Sequence, residues 1–179
     1  FPWAVTAVVA RHVTMRAVNP DLIWELIDGE DVTHYNGAPT VQLMVLNHPR
    51  AHRLERPVTA MVAAAPPSPT LFARMSELNF RVVHVYGLTE TYGPITVCPE
   101  QEGWRELPVD QRARYLARQG QAYPSSDLVR VVDDQMTDVP QDGQVMGEVI
   151  MRGNNVMSGY FNDEAATGKA FAGGWFHSG

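Results

Sequence analysis

A hydroxyl and a carboxylate stand next to each other at Thr89-Glu90, immediately after an apolar run that ends in Tyr86-Gly87. Val82, Val83 and Val85 make that run read as a buried strand over residues 80–85. A carboxylate is a hard oxygen donor suited to Mg²⁺, and a glycine beside it leaves the backbone open to close approach. Gly93-Pro94 supplies a second break a few residues on. Open α/β sheets bind ligands at the carboxyl ends of their strands. Thr89 and Glu90 are therefore the candidate catalytic residues, with Glu90 the candidate metal ligand.

Other reactive side chains make weaker sites. His48 and His52 are four residues apart, but Pro49 lies between them and no carboxylate has a fitting spacing. Cys98 has no evident activating base beside it. As the only cysteine it excludes an internal disulfide framework, which points to a reducing cytoplasm. The formal charge is −6 and no block of five basic residues occurs, which argues against nucleic acid as a partner. No apolar run reaches the roughly 18 residues of a membrane span, and no signal peptide is visible. A homo-oligomer is compatible with the sequence and is not specified by it.

The elements that must position Thr89-Glu90 alternate. Residues 1–10 are apolar nearly all round and predict a buried helix, and residues 12–18 alternate like a strand. Asn19-Pro20 starts a helix with Leu22, Ile23, Leu26 and Ile27 as its buried stripe, closed by Gly29. A short strand over 32–37 leads to a helix ending near His48. A strand over 57–65 ends in Ala64-Ala65-Pro66, and Ser68-Pro69 then starts another helix. Such alternation predicts an α/β fold: a mostly parallel sheet flanked by helices over about residues 1–97. Its strand ends at 36–37, 64–66 and 86–87 would share one edge. An amphipathic helix follows at Val109–Arg118. Strands at 127–133 and 147–151 predict a smaller β-rich, barrel-like part over about 125–179. The domain reading is accordingly 1–124 for the α/β portion and 125–179 for the β-rich one.

Three segments together resemble the adenylate-forming, AMP-binding enzymes. Tyr86-Gly87-Leu88-Thr89-Glu90 is similar to their Tyr-Gly-x-Thr-Glu motif. Gly147-Glu148, Gly153, Val156 and Gly159-Tyr160 match their Gly-Glu-(x)4-Gly-(x)2-Val-(x)2-Gly-Tyr spacing. Trp175-Phe176-His177-Ser178-Gly179 resembles the lead-in to their Trp-(Phe/Tyr)-x-(Thr/Ser)-Gly-Asp motif. The wording of residues 34–40, 63–67 and 152–157 is most similar to fatty acyl-CoA synthetases and plant-type acyl-activating enzymes.

The resemblance implies an acid:CoA ligase. It would adenylate a carboxylic acid, a fatty acid first, with Mg·ATP, and then transfer the acyl group to CoA with release of AMP. In this picture Glu90 binds Mg²⁺, Thr89 contacts the α-phosphate, and Tyr86 stacks on adenine. Gly87 and Val85 line the approach, while Ala64, Ala65 and Pro66 flank the adenine and the acyl group. His84 either reaches the adenine amino group or is buried and satisfied. Trp175 would position the ribose loop. The family's phosphate loop, ribose-binding Asp and lid lysine are not among these residues, so the chain reads as an internal piece of the large N-terminal domain, inactive alone. Adenylation for a carrier-protein thiol and a non-catalytic nucleotide-binding protein are the alternatives.

Overall fold

The computed structural model describes residues 2–124 and 126–179. Its architecture is mixed α/β, with a sheet that contains a parallel pair and a separate small antiparallel sheet. The chain forms two compact units. One comprises Phe1–Val83 and Gln101–Ala117, the other His84–Glu100 and Arg118–Gly179.

In the first unit the order of elements is α1 (Pro2–Ala7), α2 (Pro20–Gly29), β1 (His34–Gly37), α3 (Pro39–Leu46), β2 (Val58–Val62), α4 (Pro69–Glu77) and the beginning of β3 (Phe80–Leu88). Helix α5 (Val109–Leu116) completes it. Side-chain oxygens start two of these helices. Asn19 Oδ1 accepts from the backbone N–H of Asp21 and Leu22, and Ser68 Oγ accepts from that of Leu71. Proline at the first helical turn fits because its missing N–H has no partner to lose there. β1 and β2 run parallel, with Gly37 opposite Val62, so their carboxyl ends lie side by side.

The core of this unit forms around Trp24, Phe72, Met75, Val45 and Val62, all fully buried. Trp24 is held from both ends: its ring lies 6.1 Å from that of Phe80, and its Nε1 donates to the Val45 carbonyl at 3.0 Å. A second buried polar link pins the end of β1. Gln42 donates to the Gly37 carbonyl at 3.2 Å and accepts from the Tyr35 hydroxyl, and burial pushes the Tyr35 phenol well up.

The second unit contains the end of β3 together with β4 (Gly93–Cys98), β5 (Gln121–Ala122), β6 (Leu128–Val132), β7 (Glu148–Arg152), α6 (Glu164–Ala170) and β8 (Phe176–His177). β3 pairs antiparallel with β4, and β4 with β5. β6, β7 and β8 form the small antiparallel sheet in that order. Ile95 of β4, Met151 of β7 and Phe176 of β8 form the buried cluster of this unit.

Several local expectations change. The first helix forms but is not buried: Trp3 is 75% exposed, and no residue of α1 is buried. Residues 12–18 are not a strand, because an alternating pattern without a pairing neighbour has nowhere to place its backbone hydrogen bonds. β3 does not stop at Tyr86. It shifts register between Tyr86 and Gly87, reaches Leu88 and returns through a tight turn as β4. The residues after Pro94 are thus a strand, and the sheet is antiparallel on that side. The expected smaller β-rich part is present as a three-stranded antiparallel sheet, and it is joined by a helix, α6, that the sequence reading did not assign. Among the described residues no helix is long and apolar enough to cross a membrane.

Replacing Trp24 by Ala removes a fully buried indole and the side-chain donor to the Val45 carbonyl. We expect a loss of about 3–5 kcal/mol, read as a lower urea midpoint of unfolding in the intact protein.

Candidate active site

The turn between β3 and β4 is closed by one hydroxyl. Thr91 is fully buried, and its Oγ1 accepts from the Leu88 N–H at 2.9 Å while lying 2.7 Å from the Gly93 carbonyl and 3.1 Å from that of Leu88. Residues 89–91 form a single 3-10 turn, and Tyr92 leaves it in the left-handed conformation at φ 56°. Gly87 faces the returning strand so closely that a Cβ would lie 1.9 Å from the Gly93 carbonyl oxygen. No other residue type fits that position. The close approach at Gly87 thus serves the hairpin whether or not a ligand also comes near.

Thr89 and Glu90 sit at the tip of this turn, Thr89 exposed and Glu90 half-buried. Glu90 is fastened by residues from a distant segment. Its peptide carbonyl accepts from the Met157 N–H at 2.7 Å, and its Oε1 accepts from the Tyr160 hydroxyl at 3.1 Å. Asn155 Nδ2 donates to the Thr91 carbonyl at 3.1 Å. Partial desolvation, and then the carboxylate it donates to, raise the Tyr160 phenol. Thr91, Asn155 and Tyr160 were not assigned roles from sequence. Their place beside or inside the two glycine-bearing motifs is the signal that points to them.

His84, Val85, Tyr86 and Gly87 belong to the same unit as Thr89 and Glu90. His84 and Val85 are buried in β3, with His84 Nδ1 donating to the Arg118 carbonyl at 2.9 Å. Tyr86 is half-buried against the Ile95, Met151 and Phe176 cluster. Ala64, Ala65 and Pro66 lie in the other unit, exposed just past the end of β2. Ala64 holds φ at 75°, a left-handed backbone that a residue with a Cβ adopts only at a cost.

The His48 and His52 rings pair with separate carboxylates, Asp21 at 3.0 Å and Asp28 at 3.4 Å, so they do not converge. Cys98 is buried, and burial pushes its thiol up, away from nucleophilic chemistry. Among the described residues no three metal-ligating side chains come together. A lone half-buried carboxylate nevertheless fits Mg²⁺ that arrives with a nucleotide, since Mg²⁺ keeps water and phosphate oxygens as most of its ligands.

A second polar link fixes the last strand. Glu148 Oε2 lies 2.7 Å from His177 Nδ1, and its Oε1 accepts from the Gly179 N–H at 3.1 Å. His177 Nε2 faces the Ala172 carbonyl at 3.1 Å. Both ring nitrogens therefore meet acceptors, an arrangement that only the imidazolium satisfies. Glu148 raises the His177 pKa, and His177 in turn lowers that of Glu148. Beside them two guanidinium groups approach the Trp175 ring, Arg130 at 5.1 Å and Arg152 at 5.4 Å from its centroid. Glu148 and His177 are 29 residues apart, so no local pattern announces the pair.

Comparison with known proteins follows this geometry. The model of the family described as AMP-binding enzyme matches residues 2–161. The chain is 39% identical to the peroxisomal acetate/butyrate–CoA ligase of Arabidopsis thaliana, covering 100% of this chain and 32% of that protein. It is 41% identical to 4-hydroxybutyrate–CoA ligase 2 of Metallosphaera sedula, covering 100% of this chain and 33% of the relative. The chain thus spans about a third of the length of the curated relatives it matches. Among solved structures, the O-succinylbenzoate coenzyme A synthetase of Bacillus subtilis in complex with ATP and magnesium ion shares the fold. It superposes with a TM-score of 0.71 at 23% identity, over 90% of this chain and 31% of that one.

The Glu148–His177 pair gives a pH test. His177 sits above its ordinary 6.5, so its contribution is complete below that value and is lost as pH rises through the raised one. Glu148 sits below its ordinary 4.5, so its contribution is present above that value and is lost as pH falls through the lowered one. The pair therefore stabilises most between those two ordinary values. NMR titration of the His177 ring should give a midpoint above 6.5 that falls back toward 6.5 in Glu148→Gln.

Proposed function

Because the chain belongs to the AMP-binding enzyme family, we propose that it carries the Thr89–Glu90 half-site of an AMP-forming acid–CoA ligase. The observation behind this reading is the turn that presents a hydroxyl and a braced carboxylate together at the end of β3. In the proposed reaction a carboxylate oxygen attacks the α-phosphorus of ATP and pyrophosphate leaves. The CoA thiol then attacks the acyl carbon, and AMP leaves.

Each residue has a task in that sequence. Glu90 would hold the Mg²⁺ of Mg·ATP. When bound, that ion neutralises charge developing on the phosphate oxygens. Thr89, exposed at the tip of the turn, donates its hydroxyl to the α-phosphate. Tyr86 offers a ring face to adenine, an interaction of about 1–3 kcal/mol by analogy with base–aromatic stacking. His84 and Val85 form the buried floor beneath it, and Gly87 keeps the turn tight. In the first unit we assign Ala64, Ala65 and Pro66 to nucleotide and acyl contact. Glu148, His177 and Trp175 hold the approach to the ribose-binding loop.

The acid is aliphatic in this reading, a fatty acid at the short end of the range. Support comes from the relatives named for acetate, butyrate and 4-hydroxybutyrate. Placement in the cytoplasm rests on the single reduced cysteine, and the relative from Arabidopsis thaliana, which is peroxisomal, makes that organelle the compartment to test against it.

The intact protein should catalyse acid-dependent exchange of pyrophosphate into ATP across a panel from acetate to long-chain acids. No exchange with any acid overturns the ligase reading in favour of a non-catalytic nucleotide-binding protein. The trapped adenylate should acylate CoA, and acylation of a carrier protein alone would move the assignment to a carrier-loading enzyme. Glu90→Gln should lower exchange by on the order of 10²-fold, as for loss of one transition-state stabiliser. Near-normal exchange in that variant removes Glu90 from the reaction.

A further inference from the structure

A glutamate at a turn tip has three side-chain torsions to order before it can serve as a ligand, and that entropy weakens binding. In this chain the ordering is done beforehand. Tyr160 donates to Glu90 Oε1 at 3.1 Å, and among the described residues Oε2 accepts no hydrogen bond. The backbone that follows it is tied as well, through Met157 N–H to the Glu90 carbonyl and Asn155 Nδ2 to the Thr91 carbonyl.

Tyr160 is itself anchored. Its N–H donates to Thr167 Oγ1 at 2.9 Å, and that hydroxyl donates to the Asp163 carbonyl at 2.7 Å in the first turn of α6. Asp163 caps the helix by accepting from the Ala166 N–H at 2.8 Å. A Cβ on Gly159 would stand 2.8 Å from Thr167 Cγ2, which explains why the chain reaches this anchor through a glycine. A continuous line of bonds thus runs from the start of α6 through Thr167 and Tyr160 to the Glu90 carboxylate.

We propose that Tyr160 is a positioning residue for Glu90: its hydroxyl fixes one carboxylate oxygen and leaves the other for the divalent cation that accompanies the nucleotide. The proposal rests on the reading of Glu90 as the metal-binding carboxylate. The phenol touches neither substrate nor cation in this scheme. Its effect is on how much carboxylate ordering remains when the ion arrives.

Mn²⁺ binding to the ATP complex of the intact protein, followed by electron paramagnetic resonance, reads this directly. Tyr160→Phe keeps the ring and removes only the donor. It should weaken Mn²⁺ by about tenfold, the low end of what a hydrogen bond to a charged group is worth. The Mg²⁺ needed for half-maximal pyrophosphate exchange should rise by the same factor, with the maximal rate recovered at saturating Mg²⁺. Thr167→Val, which removes the oxygen that holds the Tyr160 N–H, should act in the same direction by a smaller factor. A merely structural tyrosine would lower the melting temperature and the maximal rate without moving the metal requirement.

Unchanged or tighter Mn²⁺ binding in both folded variants, with binding lost in Glu90→Gln, overturns the role of Tyr160 and leaves the Glu90 assignment standing. Unchanged Mn²⁺ binding in Glu90→Gln removes the metal assignment itself, and the proposal with it.

Discussion

The buried hydroxyl of Thr91 is the constraint on which the candidate site depends. It satisfies the Leu88 N–H and lies against two carbonyls, closing a turn of three residues between antiparallel strands. With the turn closed, Gly87 must pass under the Gly93 carbonyl, and Thr89 and Glu90 must stand at the tip. A bulkier residue at Gly87 or an apolar one at Thr91 would open the turn before it touched any ligand. The placement of Thr89 and Glu90 is therefore set by backbone geometry first, and by side-chain contacts second.

Around that turn the second unit supplies every brace that fastens Glu90. Residues 153–160 reach residues 90–91 through two side chains and one peptide N–H, and β8 is held by the Glu148–His177 pair and by contacts of the Trp175 ring with Arg130 and Arg152. These are polar links near the surface, each of modest strength. Their value lies in direction: each fixes a segment whose backbone conformation the hydrophobic cluster of Ile95, Met151 and Phe176 would leave loose.

Much of this was legible in the residues. Asn19 and Ser68 announced their helices because caps are local chemistry, and the stripe containing Ile23 and Ile27 faces the core as periodicity requires. The strand ending in glycine beside a hydroxyl and a carboxylate singled out Thr89 and Glu90, and the structure places both in one turn between β3 and β4. Local pattern failed where a partner decides the outcome. Residues 12–18 alternate yet pair with nothing, and the apolar helix at Pro2–Ala7 stays exposed. β4 was missed because Gly93-Pro94 looks like an ending, whereas a place for proline at the start of the strand, ahead of the residues that β5 pairs, and a register shift let the strand continue. Asn155, Tyr160 and the Glu148–His177 pair depend on contacts across long separations, which no window of sequence displays.

The separation between Glu90 and its brace has a consequence for synthesis. Glu90 and Tyr160 lie 70 residues apart, with β4, α5, β5, β6 and β7 between them. A chain leaving the ribosome from its amino end exposes the turn long before residues 153–160 exist to fasten it. Until then the hairpin can form through Thr91, but the carboxylate swings freely. The ordering of the Glu90 side chain is in this sense a late event, completed only when residues 153–160 and α6 are in place.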